Sequence, residues 1–396
     1  MIRVGIITQY HNNINYGGLL QAYALQWTVQ QLGMQCEVID YVRGKHGNKN
    51  ESNINKFLRY FSVDSNSAFE LAYEQVSTKI NGILLGFDKQ KKVAISALQQ
   101  RSECDKFRQQ IPHSKGTYDE NDIIDTLKTY DAYIVGSDQV WNPFSLTEIE
   151  MLSFVTEERK KIAYAASVST HIFDDYSKEL FKEHLPKFNQ ISVRESSSVS
   201  VLKLFTDKRI DNVLDPVFLP GTEFWEAFLE EYTENSNYIF AYFLGTSEKN
   251  RRLLKTIGKK TGKIVIYLPL KENTRNNKYA VAGDIQLYNV KPQLFLGLIK
   301  NADMVVTDSF HGTAFSIIFN KQFINLFRYK NKNRRNTNSR LKDLLSSLEL
   351  EERIISTVDE IDRILTKDID YKEVNEKLKR MFDYSLGFLK RSLYGD

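Results

Sequence analysis

Residues Asp308-Ser309-Phe310-His311-Gly312-Thr313 bring a carboxylate, two hydroxyls, an imidazole and a glycine into six consecutive positions. An imidazole changes charge near neutral pH, so His311 is suited to give or take a proton. An apolar β-branched run, Met304–Thr307, precedes this stretch, and an apolar helix-like run, Ala314–Phe319, follows it. The order is strand, tight loop, helix, with the turn at the carboxyl end of a strand. Ligands bind at such turns because the first amides of a helix lack intrahelical acceptors and its dipole favours an anion. Ser309, Gly312 and Thr313 are therefore candidate ligand contacts. Asp308 is a candidate to orient the ring or to act as base. The alternative is purely local: Ser309 or Asp308 caps the helix, and His311 is a buried, hydrogen-bonded residue.

Four other places carry related chemistry. Arg194 ends the strand-like run Gln190–Arg194. Its planar guanidinium suits bidentate pairing with phosphate or carboxylate, and equally a salt bridge with Glu195 or Asp215. Asp138 follows the run Tyr133–Gly136. Like Asp308, it is a candidate base, a partner for the imidazole, or a cap on nearby N–H groups. Asn15-Tyr16-Gly17-Gly18 lacks the GxGxxG spacing, which disfavours a dinucleotide. Its paired glycines still let backbone approach a ligand closely, and a simple tight turn is the other reading. The run Arg328–Arg340 has many basic residues and no acid; it is either a solvated loop or, with Arg340 at its end, a clamp on an anion. Trp141, beside Asn142 and Pro143, is a sugar-stacking platform or a core aromatic, with the core reading preferred. His11 lies in the first glycine loop, where a ligand is in reach, whereas His46, His113, His171 and His184 are expected at the surface.

The surrounding elements repeat strand then helix. Ile2–Thr8, a helix over Leu19–Leu32 and Cys36–Tyr41 form one β-loop-α-β unit, which demands a parallel pair and a right-handed crossover. A polar Gly/Asn-rich loop over Gly44–Asn55 and helical periodicity over Phe57–Leu98 follow. Tyr133–Gly136, Lys161–Ser167 and Gln190–Arg194 read as further strands, and Asn212–Leu219 closes this half, with Pro216 and Pro220 marking the exit. A second series starts at Tyr238, with strands at Tyr238–Leu244, Lys263–Leu268, Met304–Thr307 and Phe323–Leu326. A final amphipathic helix spans Val374–Leu393. With 396 residues, too many for one ordinary core, this gives two doubly wound parallel-sheet α/β domains facing across a cleft. The expected units are 1–220, 235–370 and a C-terminal helix, 371–396, able to pack back on the first domain.

A net charge of +4, spread among interleaved acids and bases, argues against a nucleic-acid partner. Cys36 and Cys104 have neither CxxC nor metal-site spacing, so a reducing compartment and no metal are expected. The N-terminal strand leaves no room for a signal peptide, and no apolar run reaches the ~20 residues of a membrane span. A cytoplasmic protein is expected, with at most peripheral contact at the inner face of the membrane.

Four segments together resemble the polysaccharide pyruvyl transferase family: Asn15–Leu25 (NYGGLLQAYAL), Tyr133–Pro143 (YIVGSDQVWNP), Ile191–Glu195 with Val213–Pro216, and Thr307–Thr313 (TDSFHGT). They span roughly residues 3–330 in family order. The resemblance implies a fold like the GT-B glycosyltransferases. It also implies transfer of the pyruvyl group of phosphoenolpyruvate onto two hydroxyls of a sugar, as a ketal, with phosphate released. On that reading the partners are phosphoenolpyruvate and a sugar or lipid-linked oligosaccharide acceptor, with no bound cofactor. His311 would carry the proton work with Asp138 or Asp308. Arg194, Asn15, Gly17, Gly18, Ser309, Gly312, Thr313 and Arg340 would hold substrate. One departure stands out: family members carry Arg two residues before the His, and this chain has Ser309. Arg194, with Arg328, Arg334, Arg335 or Arg340, must then match the charge of the donor. A nucleotide-sugar glycosyltransferase and a non-catalytic glycan-assembly protein are the alternatives.

Overall fold

The computed structural model describes residues 2–44, 100–156, 159–245, 247–269, 282–329 and 337–395. The expected loop over Gly44–Asn55, apart from Gly44, and the helical periodicity over Phe57–Leu98 lie outside these residues, as do Arg334, Arg335 and His46.

Two all-parallel sheets form. The first has β1 (Arg3–Ile7), β2 (Gln35–Tyr41), β3 (His113–Tyr118), β4 (Ala132–Val135), β5 (Lys160–Ala166), β6 (Gln190–Val193) and β7 (Asp211–Asn212). Their order is β3-β2-β1-β4-β5-β6-β7. The second has β8 (Tyr238–Tyr242), β9 (Ile264–Leu268), β10 (Ile285–Gln286), β11 (Met304–Thr307), β12 (Gln322–Leu326) and β13 (Ile354–Ile355), in the order β10-β9-β8-β11-β12-β13. This is the GT-B-like plan. The central strands are buried along nearly their whole length, because helices cover both faces of a parallel sheet.

Each sheet reverses direction once. In the first, the chain winds outward from β1 through β2 and β3, then returns to place β4 on the other side of β1. In the second, β8 leads to β9 and β10, and β11 returns beside β8. The crevice at such a reversal, beyond the strand carboxyl ends, is where an open α/β sheet receives ligands. The loops after β1, β4, β8 and β11 all open there.

Five helices matter to the site: α1 (Tyr16–Gln31), α2 (Ser196–Leu202), α3 (Phe310–Ile318), α4 (Ser339–Ser347) and α5 (Tyr371–Tyr394). Helix α1 belongs to the first sheet but packs on the second domain. Its Tyr16 ring stacks on Phe295 at 4.7 Å and its hydroxyl donates to Val290 O at 2.7 Å. Helix α5 runs back to the first sheet. Its Ser385 hydroxyl accepts from Leu214 N at 2.9 Å, and its Leu393 carbonyl accepts from Lys160 Nζ at 2.6 Å.

Some sequence expectations are corrected. In the segment Asn212–Leu219 that closes the first half, β7 ends at Asn212 after two residues, and a 3-10 turn at Pro216–Phe218 follows. The prolines that mark the exit also remove amides that a ladder needs. Three short or polar strands, β3, β10 and β13, carry too little apolar alternation to be read from sequence. His184 is buried, and burial pushes its imidazole below the usual value, so it is not a surface histidine. Trp141 is fully buried, its indole N–H donating to Glu150 O at 3.0 Å.

Candidate active site at the domain seam

Helix α3 starts where the sequence requires it. Ser309 is the N-cap, with extended backbone and a hydroxyl that accepts from Gly312 N at 3.2 Å. Thr313 donates to Ser309 O at 2.9 Å and accepts from Asn325 Nδ2 at 2.6 Å. Ser309, Gly312 and Thr313 thus build the turn from within. Asp308 faces back into its own domain: its carboxylate accepts from Leu244 N at 2.6 Å and Gly245 N at 2.9 Å. Burial raises its pKa, against the opposing pull of Arg328 and those two amides.

His311 points the other way, into the seam. A Cβ built on Gly17 would overlap His311 Nδ1 and Cγ and lie 2.6 Å from its Cβ. Only a residue without a side chain lets the start of α1 approach the ring this closely. Asn15 shapes that start as the N-cap of α1, its Oδ1 accepting from Gly17 N at 3.0 Å and Gly18 N at 3.5 Å. Gly18 in turn leaves room for the Asn13 amide.

On its other edge, His311 Nε2 lies 3.6 Å from Asp215 Oδ2 and, although buried, has no hydrogen-bond partner among the described residues. Asp215, fully buried, also accepts from Arg194 Nη1 at 2.6 Å and from Ser137 Oγ at 3.0 Å. Burial alone would raise this carboxylate, but His311 and Arg194 hold it well below the usual range. It is a fixed anion beside the imidazole. Sequence reasoning counted Asp215 only as an ion-pair partner. The available signal was an Asp before Pro, which reads equally well as the cap of a turn.

Arg194 is enclosed by acids. Its Nε donates to Glu195 at 3.3 Å, its Nη2 lies 3.6 Å from Asp138 Oδ1, and its guanidinium covers the Phe310 ring at 4.1 Å. Burial works against its charge, yet Asp215, Glu195 and Asp138 outweigh that and push its pKa up. Both readings of Arg194 keep a footing: three carboxylates hold it, and buried Nη2 has no hydrogen-bond partner among the described residues.

Asp138 sits at φ 62°, a region that is costly for a non-glycine residue and frequent at functional sites. Across the seam from it is Arg340 on α4, with Nη1 3.9 Å from Asp138 Oδ1. Arg340 is buried and donates from Nη2 to Thr337 Oγ1 at 2.9 Å. Burial, then repulsion from Arg194 and Arg328, pushes its pKa down to about 10. An anion placed among these arginines would relieve that repulsion. Beside Asp138 and Arg340 a cavity of about 170 Å³ opens between the domains. Gln139, Asn142, Phe144 and Thr170 line it from the first domain, Arg328, Tyr329 and Thr337 from the second. His311 is not among its lining residues.

His11 is held on the far side of β1, its Nδ1 2.8 Å from Asp40 Oδ1 at the end of β2. No group of three or more His, Cys, Asp or Glu side chains suited to a metal occurs among the described residues. Nor is any described helix long and apolar enough to cross a membrane.

Fold and site define a two-domain α/β protein whose polar cluster sits between facing sheets. The profile of the family described as polysaccharide pyruvyl transferase matches residues 15–331. The chain belongs to that family, which sets it among the transferases of polysaccharide biosynthesis. No curated protein matches it in sequence. Similar solved structures include a UDP-N-acetylglucosamine 2-epimerase from Rickettsia bellii, 11% identical over 100% of both chains with a TM-score of 0.49. A spinosyn rhamnosyltransferase is 11% identical over 99% of both chains, with a TM-score of 0.48. The UDP-GlcNAc 2-epimerase of Neisseria meningitidis is 9% identical over 100% of both, with a TM-score of 0.46.

Proposed function

We propose that the protein transfers the pyruvyl group of phosphoenolpyruvate to two hydroxyls of a sugar on a surface polysaccharide or its precursor. One observation carries this reading: a buried imidazole held between Gly17 and Asp215 at the same seam as Arg194 and Arg340. The reaction needs a proton mover beside a polyanion, and that is the chemistry these groups offer.

In the proposed sequence, one sugar hydroxyl adds to C2 of phosphoenolpyruvate while the methylene carbon gains a proton and becomes a methyl. The C2–O bond to phosphate then breaks, and the second hydroxyl closes the ketal. Of the two hydroxyl protons, one ends on the methyl and the other on the departing phosphate. His311 is the group that moves the proton, with Asp215 holding the ring. Arg340, joined by Arg328 from the cavity wall, would face the phosphate and replace the Arg that Ser309 displaces.

The test is phosphate release from phosphoenolpyruvate with a panel of glycolipid and oligosaccharide acceptors. Mass spectrometry would then look for one added pyruvate ketal. Absence of phosphoenolpyruvate binding by calorimetry, together with binding of a uridine nucleotide, would overturn the reading.

A further inference from the structure

Helix α4 carries two seam residues three apart, Arg340 and Asp343, and this spacing puts both on one face. Arg340 lies beside Asp138, as described. Asp343 Oδ2 accepts two hydrogen bonds from the first domain, from Ser197 N at 3.0 Å and Ser197 Oγ at 2.6 Å. Ser197 lies in the first turn of helix α2, which follows directly on Glu195 and on Arg194, the partner of Asp215 and Asp138.

The reason Ser197 N takes a partner from another domain is local. The N-cap position of α2 is Glu195, whose side chain makes no capping bond. Its carboxylate instead accepts from Ser167 Oγ at 2.5 Å and Ser198 Oγ at 3.2 Å, and pairs with Arg194. Asp343 supplies the acceptor that Glu195 does not. Another bond from this helix to the first domain is the longer one from Ser339 Oγ to Ser169 O at 3.4 Å.

The contact works against an opposing force. Arg340 is brought by α4 toward Arg194, and repulsion from that cation works against the attraction of Asp138 and Glu195. The hydrogen bonds of Arg340 go to Thr337 of its own segment, so it meets the first domain through the looser 3.9 Å approach to Asp138. We infer that Asp343 is a positioning residue: through Ser197 it clasps α4 to the first domain and so sets Arg340 beside Asp138 before any ligand arrives. Asp343 does not touch substrate. It acts by raising the fraction of molecules in which the anion site is assembled, and apparent donor affinity scales with that fraction.

The inference rests on the phosphoenolpyruvate reading for its binding arm only. In the full-length protein, Asp343→Ala should weaken phosphoenolpyruvate binding by calorimetry by about 5- to 10-fold, within the usual range of a coupling between sites. Turnover at saturating donor should stay within about twofold, because bound donor then holds the domains itself. Asp343→Asn keeps an oxygen that accepts from both Ser197 groups, and should restore most of the affinity. A role for the negative charge alone would make Asn behave like Ala. A second arm needs no donor: small-angle scattering of the free protein should show a larger radius of gyration for Asp343→Ala than for wild type or Asp343→Asn. If wild type does not bind phosphoenolpyruvate but Asp343→Ala still expands, the functional reading falls and the clasp stands. If Asp343→Ala matches wild type in scattering and in every measurable affinity, the clasp is overturned.

Discussion

Gly17 at the start of α1 and His311 at the start of α3 are pressed together across the domain seam, with no space between them for even a methyl group. Two helix N-termini from two different sheets therefore converge on one imidazole. The arrangement ties the geometry of the ring to the approach of the domains.

Gly17→Ala should accordingly disturb the site more than the fold. The added methyl must displace the ring or part the domains, and misplacement of a catalytic group by about 1 Å can reduce rate ~10²-fold. Phosphate release should fall by that order while the thermal melt stays cooperative. A variant with wild-type turnover would show that the ring need not stay where it is.

His311→Ala should lower turnover by ~10²-fold or more, the usual contribution of a general acid–base group. His311→Gln, which retains a polar side chain of similar reach, should be nearly as inactive. Stopped-flow phosphate release on both variants is the measurement, with circular dichroism as the control for folding.

Asp215→Asn should destabilise the protein by about 3–5 kcal/mol, because Arg194 loses its closest counter-ion in a buried setting. The pH dependence follows from the depressed pKa of Asp215. A carboxylate depressed by folding contributes its full stabilisation above the ordinary range, near pH 4, and loses it as pH falls through the lower folded value. Urea unfolding should show wild type weakening below about pH 4, with Asp215→Asn less stable at neutral pH and flatter on the acid side.

Arg340 makes the opposite kind of contribution. Its pKa is lowered to about 10 by burial and by Arg194 and Arg328, so at every pH below that value the folded state carries an unfavourable cation. Arg340→Met should raise the melting temperature of the free protein and abolish the rise that phosphoenolpyruvate produces in wild type. Arg340→Ala should raise donor KM and lower kcat together, because the guanidinium meets phosphate charge in ground and transition states alike. Lys should recover only part of the loss, having no planar fork. Thermal shift and steady-state kinetics on the three variants decide it.

The sequence determined the local chemistry of the two glycine-and-histidine turns. Apolar runs ending in Gly17 and His311 segments form strands and helices at those places because buried parallel strands need continuous apolar faces and helix starts need caps. The β-then-α order was legible for the same reason, as were the second sheet and the returning helix α5. Strands β3, β10 and β13 were not legible, since edge strands are short and their pairing comes from a neighbour rather than from their own pattern.

Tertiary structure alone decided the partners. Asp308 and Asp138 look alike in sequence, each a polar residue after an apolar strand, yet Asp308 turns to the amides of Leu244 and Gly245 while Asp138 faces Arg340. Asp215 reaches His311 from 96 positions away in the numbering, and Asp343 reaches Ser197 from 146. Such pairs are set by how two sheets meet, through distances and burial that no spacing along one chain encodes.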